Sequence, residues 1–209
     1  MEPPNTESVE RKLYEKILYT EDEVTERISE LAGKVIRQYQ GRNPLFVCLL
    51  RGGMPFSARL MSAIAAQDPY FHPELDYMTV RTYGSGQTAK DPEIVMDLGP
   101  HTEPTGRPVV LLDDVFDTGA TAVFVAEKLR ERGVASVDLC VLVRKEKEQP
   151  PFNGEILFGF ETNDVWLVGM GMDDVRFGKE ALRWADYIAK AIQPGPTENL
   201  DIVPELTRS

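Results

Sequence analysis

Three short runs constrain this chain more than anything else in it: LFVCLL at residues 45–50, PVVLLDD at 108–114 and VDLCVLV at 137–143. A strand that alternates apolar and polar residues leaves one face to water, whereas a run apolar at nearly every position must be covered on both. Helical stretches at 54–67 and 120–132 fall between the runs and supply those covers. The chain is therefore predicted to be α/β, a twisted parallel sheet flanked by helices. Further strands are expected at 75–83 and 93–98.

The flanks are organised differently. Residues 1–12 read as a disordered lead-in, and Thr20-Glu21-Asp22-Glu23 is a capping box that opens a helix. Val24, Ile28, Leu31, Val35 and Ile36 continue at helical spacing to about Gln40, before Gly41 and Pro44. In the last third, two short strands are expected at 156–160 and 165–169, joined by Thr162-Asn163-Asp164. A helix is expected over 178–192, with Ala181, Leu182, Ala185, Ile188 and Ala189 on one face. Pro194-Gly195-Pro196 then opens an acidic tail, 193–209. This gives one domain over 13–192, with a small hood drawn from the N-terminal helix and residues 156–192.

Composition narrows the function. The 209 residues carry 34 acidic against 23 basic side chains, a net charge of -11, so a nucleic-acid or anionic-membrane partner is not expected. The longest apolar run has six residues, against the roughly 18 to 20 a membrane helix needs. The N-terminus, with Pro3, Pro4 and several acids, lacks the pattern of a secretory signal. Two cysteines, Cys48 and Cys140, sit inside strand runs and read as reduced core thiols of a cytoplasmic protein. With two histidines, His72 and His101, both near prolines, no Cys/His metal site can be built.

The chemistry concentrates in VVLLDDVFDTGAT, residues 109–121. A buried strand runs into Asp113 and Asp114, then Asp117, then a Thr118-Gly119-Ala120-Thr121 turn that opens a helix. A helix N-terminus presents unpaired N–H groups and the positive end of its dipole, so 117–121 is a ready phosphate cradle, with Gly119 allowing close backbone approach and the threonines adding hydroxyls. Acids beside a phosphate cradle make sense if Asp113 and Asp114 face sugar hydroxyls or a metal-bound sugar.

These thirteen residues resemble the signature of the type I phosphoribosyltransferases, and the chain is more closely similar to their 6-oxopurine (hypoxanthine-guanine) branch over about residues 40–175. The resemblance implies that Asp113 and Asp114 lie near the ribose hydroxyls of 5-phosphoribosyl-1-pyrophosphate and that 117–121 surround its 5'-phosphate. Further segments follow in the expected order. Arg51-Gly52-Gly53, an ordinary turn when taken alone, would be the pyrophosphate loop, with a cis peptide before Gly52. Thr82-Tyr83 and the glycine-bearing stretch after them would form a lid that keeps water from a cation-like sugar. Lys145 would donate to the exocyclic oxygen of the base, Trp166 would stack on the ring unless it is a core residue, and Leu167 would offer backbone contacts. Asp173 would stand by the pyrophosphate magnesium, together with Asp113 and Asp114. The branch has a Tyr after this Asp and an Arg six residues after it. Asp174 and Lys179 occupy those places here, and Lys179 would take part in neutralising the diphosphate without the fork geometry of Arg.

The activity so implied is magnesium-dependent transfer of a phosphoribosyl group to hypoxanthine or guanine, a purine salvage reaction in which Asp117 is the general acid/base at N7 of the purine. A homodimer or homotetramer is expected. Two rival readings are a transferase for another base such as xanthine, and a nucleotide-sensing regulator of the same fold. The acidic charge and the absence of a helix-turn-helix or a basic aromatic stripe weigh against the regulator.

Overall fold

The computed structural model describes residues 13–81, 92–148, 150–174 and 180–192. Its elements run β1 (Tyr14–Tyr19), α1 (Glu21–Tyr39), β2 (Leu45–Leu50), α2 (Gly53–Gln67), β3 (Glu74–Arg81), β4 (Glu93–Met96), β5 (Pro108–Phe116), α3 (Ala120–Arg130), β6 (Ser136–Glu146), β7 (Ile156–Asn163), β8 (Leu167–Val168) and β9 (Ile188–Ala191). The main sheet has six strands in the order β4-β3-β2-β5-β6-β7. It is parallel except for β4, which pairs antiparallel with β3 at one edge.

The uniformly apolar strands serve two cores at once. Phe46 and Cys48 of β2, Val110 and Leu112 of β5, and Cys140 and Leu142 of β6 pack with Val24, Ile28 and Leu31 of α1 and Phe56 and Leu60 of α2. Their neighbours Leu45, Val47, Val109, Leu111, Leu139 and Val141 point the other way, onto Val125, Ala126 and Leu129 of α3. Successive side chains of a strand face opposite sides, so covering both sides requires an apolar residue at every step. The predicted capping box is present: the Glu23 N–H donates to Thr20 Oγ1, and the Thr20 N–H donates back to Glu23 Oε2 at 2.8 Å.

Several expectations are corrected at the flanks. The two strands expected around Thr162-Asn163-Asp164 are not partners. β7 extends the main sheet beside β6, and β8 belongs to a separate three-stranded sheet, β1-β9-β8. Over the described residues 180–192, the helix expected at 178–192 is replaced by turns and by β9. Its backbone is claimed by tertiary partners: the N–H groups of Met170, Gly171 and Asp174 donate to the carbonyls of Ala185, Arg183 and Ala181. Ile188–Ala191 then pairs with β1 and β8, a tertiary override of helical periodicity. The sequence also gave no sign of β1, a short edge strand that leaves most of its side chains partly exposed. The small sheet forms the hood-like layer, while α1 packs on α2 and the main sheet. Among the described residues, no helix is long and apolar enough to cross a membrane.

Candidate active site

Parallel strands deliver their ends to one edge, and β2, β5 and β6 place there Arg51, Gly52, Gly53, Asp113, Asp114, Asp117 and Lys145 of the residues that the sequence singled out. Two groups form, joined by the 117–121 turn.

The first group surrounds the loop after β2. A cis peptide links Leu50 to Arg51, one bond earlier than expected. Gly52 sits so close to β5 that a Cβ on it would stand 2.5 Å from Asp114 Oδ2. Gly171 closes on the same point from the other side: at φ +113°, its Cβ would meet the Gly52 carbonyl oxygen at 2.0 Å. Gly52, the Asp114 side chain and Gly171 are thus packed so closely that only glycines permit it. Arg183, 8% exposed, reaches into this contact. Its guanidinium donates to the Gly171 carbonyl and to Glu180, and pairs with Asp173 Oδ2 at 2.6 Å. Glu180 also accepts from Arg51, Nη1 to Oε1 at 2.7 Å.

Arg183 is the functional candidate that sequence reasoning missed. The expectation fixed on six residues after Asp173, and Lys179 at that place lies outside the described residues. The arginine that meets Asp173 comes ten residues after it. The signal was available: Arg183 is the sole arginine between Phe177 and the end of the expected helix.

The acid pair bears the electrostatic cost of this placement. Burial, reinforced by the charge of Asp114, pushes the Asp113 carboxyl well above the usual carboxylate range. Burial raises Asp114 as well, while hydrogen bonds and Arg183 pull in the opposite direction. A half-buried and a buried carboxyl held side by side favour a cation near them.

The second group lies where β5 and β6 end. Phe116 is in register with Arg144, which brings the next residues, Asp117 and Lys145, side by side. Lys145, 7% exposed, donates to Asp117 Oδ2 at 2.9 Å and to Asp164 Oδ1 at 3.2 Å. Lys147 joins the same two carboxylates, pairing with Asp117 and lying 3.2 Å from Asp164 Oδ1. Two lysines and two aspartates therefore balance in charge. Trp166 follows Asp164 at 57% exposure, so it is not a core residue, and Leu167 is buried in β8 opposite Lys190 of β9.

Between the groups, Asp113, Asp117, Thr118, Gly119 and Thr121 line a cleft of about 90 Å³. Gly119, at φ +74°, turns the chain into α3 at Ala120. A Cβ there would stand 2.9 Å from the Phe116 ring. The first turns of α2 and α3 contain no acid, and neither helix receives a side-chain cap. α1, by contrast, caps itself with Thr20 and carries three acids in its first turn. The Met54 N–H donates to the Arg51 carbonyl and the Ala120 N–H to Thr118 Oγ1, and with no acid in either first turn both helix starts suit an anion better than that of α1 does. Thr82 and Tyr83 lie outside the described residues. Burial pushes the Cys48 and Cys140 thiols up to about 11 and about 12, which makes both poor nucleophiles.

Known proteins share this fold. The family model of the phosphoribosyl transferase domain matches residues 16–174. A hypoxanthine-guanine phosphoribosyltransferase of Lactococcus lactis is 34% identical over 162 residues, 78% of this chain and 85% of the relative. A bifunctional TilS/HprT protein of Listeria innocua is 34% identical over 160 residues, 76% of this chain, and the chain spans about a quarter of it (24%). The crystal structure of a hypoxanthine phosphoribosyltransferase from Staphylococcus aureus superposes with a TM-score of 0.76 at 26% identity, covering 90% of this chain and 96% of that one. Fold, motif order and these likenesses agree, and the chain belongs to the phosphoribosyltransferase family, in its hypoxanthine-guanine branch.

Proposed function

We propose that the protein transfers the 5-phosphoribosyl group from phosphoribosyl pyrophosphate to a 6-oxopurine, forming a nucleoside 5'-monophosphate and releasing pyrophosphate. The observation that carries this reading is the contact between Lys145 and Asp117 at the ends of adjacent parallel strands. It sets a donor for the oxygen at position 6 of a purine beside a carboxylate for its N7, with the phosphate turn beginning at that same carboxylate.

Each residue then has a task. The N–H groups at the start of α3, with Thr118 and Thr121, hold the 5'-phosphate, and Asp113 and Asp114 face the ribose hydroxyls. The amides of residues 51–53 and the Arg51 side chain receive the diphosphate. Arg183 joins them in the place that sequence gave to Lys179, and its fork suits phosphate oxygens better than an ammonium does. Lys145 reads the base, Trp166 stacks on it and Leu167 contacts its edge. Asp117 accepts or returns the N7 proton as the sugar moves from diphosphate to base. Thr82 and Tyr83 complete the proposal as a lid over the reacting sugar.

Magnesium fits the residues present. Mg²⁺ is usually held by one or two carboxylates plus substrate phosphates rather than by an all-protein cage. Asp113 and Asp114 offer two carboxylates whose mutual repulsion a divalent cation relieves, and Asp173 stands beside the diphosphate loop. When bound, the ion supplies neutralising charge to the departing diphosphate.

The cytoplasmic setting fits two buried, unpaired cysteines, and a homodimer or homotetramer belongs to the same proposal. The direct test is incubation with magnesium, phosphoribosyl pyrophosphate and, in turn, hypoxanthine, guanine, xanthine, adenine and uracil, with nucleotide formation as the readout. Nucleotide from hypoxanthine or guanine is expected. Faster reaction with xanthine would move the base assignment, and no nucleotide from any base would remove the activity.

A further inference from the structure

One carboxylate holds both cations assigned to the diphosphate. Glu180 accepts from Arg51 at 2.7 Å with one oxygen and from the Arg183 Nε–H with the other. The two arginines come from different parts of the chain, the loop after β2 and the turn before β9, and Glu180 ties them together. Its side chain is 30% exposed, that of Arg183 10% and that of Arg51 70%. A two-oxygen anion between two guanidinium groups is the arrangement a diphosphate would itself adopt.

We propose that Glu180 is an internal anion that competes with diphosphate for Arg51 and Arg183, and so sets the affinity for the diphosphate end of the substrate and for the pyrophosphate product. The proposal rests on the assignment of residues 51–53 and Arg183 to the diphosphate. For diphosphate to engage both guanidiniums, the Glu180 carboxylate must give up its bonds to them. That exchange weakens binding of the substrate and of the product alike, which favours product release.

The sign of the effect separates this role from a structural one, because damage to the site weakens binding while removal of a competitor strengthens it. Calorimetric titration with inorganic pyrophosphate in the presence of magnesium should show Glu180→Gln binding about 3- to 10-fold tighter than the native protein, the scale of a partly exposed charged pair. Glu180→Ala should shift in the same direction, and Glu180→Asp, which keeps the charge, should stay within about twofold of native. In turnover, Glu180→Gln should lower KM for phosphoribosyl pyrophosphate and leave KM for the base unchanged. If the native protein binds pyrophosphate and the two neutral variants bind it no more tightly, Glu180 is not a competitor and the proposal fails alone. If the native protein binds no pyrophosphate, the proposal fails together with the function it rests on.

Discussion

Lys145 Nζ lies 2.9 Å from Asp117 Oδ2, and the two residues end neighbouring parallel strands that meet in register one residue earlier, at Phe116 and Arg144. The register of β5 and β6 therefore brings Asp117, the first residue past β5, beside Lys145 of β6. Lys147 bonds the same carboxylates, so in the proposed reaction Asp117 and Asp164 would keep a cation while Lys145 turned toward a base.

Asp117→Asn removes the proton acceptor and keeps the size of the side chain. General acid/base groups typically contribute about 10²- to 10⁴-fold, so kcat should fall by at least about 10²-fold. Near-native kcat in a folded variant would assign the N7 proton to another group.

Gly171→Ala tests the close contact with Gly52 that holds the loop proposed to bind diphosphate. The new Cβ would stand 2.0 Å from the Gly52 carbonyl oxygen, at a φ of +113° that L side chains rarely adopt. The loop must shift, and KM for phosphoribosyl pyrophosphate should rise by more than about tenfold, since misplacement of about 1 Å can cost about 10²-fold. An unchanged KM would detach this loop from substrate binding.

The acid pair predicts a pH-dependent exchange of stability for function. A carboxyl whose folded pKa is raised imposes no penalty below its unfolded value, near 3.8, where both states are protonated. As pH rises through that value the unfolded state ionises first, and the penalty grows until the folded carboxyl has ionised too. Asp114→Asn should therefore unfold at higher denaturant concentration than native protein at pH 7 when no ligand is present, and the gap should close toward pH 4. Turnover should fall in the same variant. A native midpoint equal to or above that of the variant at pH 7 would contradict the assigned direction.

The main sheet was legible because its strands are buried on both faces, which leaves an unmistakable pattern at 45–50, 108–114 and 137–143. The turn into α3 was legible because Asp117-Thr118-Gly119-Ala120-Thr121 joins a strand to a helix within five residues. The hood was not. β8 has two residues and β9 four, and β1, the outer partner of β9, lies more than 140 residues away along the chain, so local periodicity could not reveal the sheet. The same blind spot hid Arg183, whose meeting with Asp173 depends on backbone bonds from 169–174 to 181–185 rather than on a fixed spacing.

The central claim is tested most directly by the ratio of kcat/KM for hypoxanthine to that for adenine, measured on the native protein and on Lys145→Met. A site built around one buried polar contact rejects the wrong partner by about 10⁴-fold or more, and a 6-amino group would face the Lys145 ammonium donor to donor. The native ratio should therefore be about 10⁴ or greater, and Lys145→Met should collapse it by damaging the hypoxanthine reaction. A native protein that uses adenine as well as hypoxanthine would contradict the account.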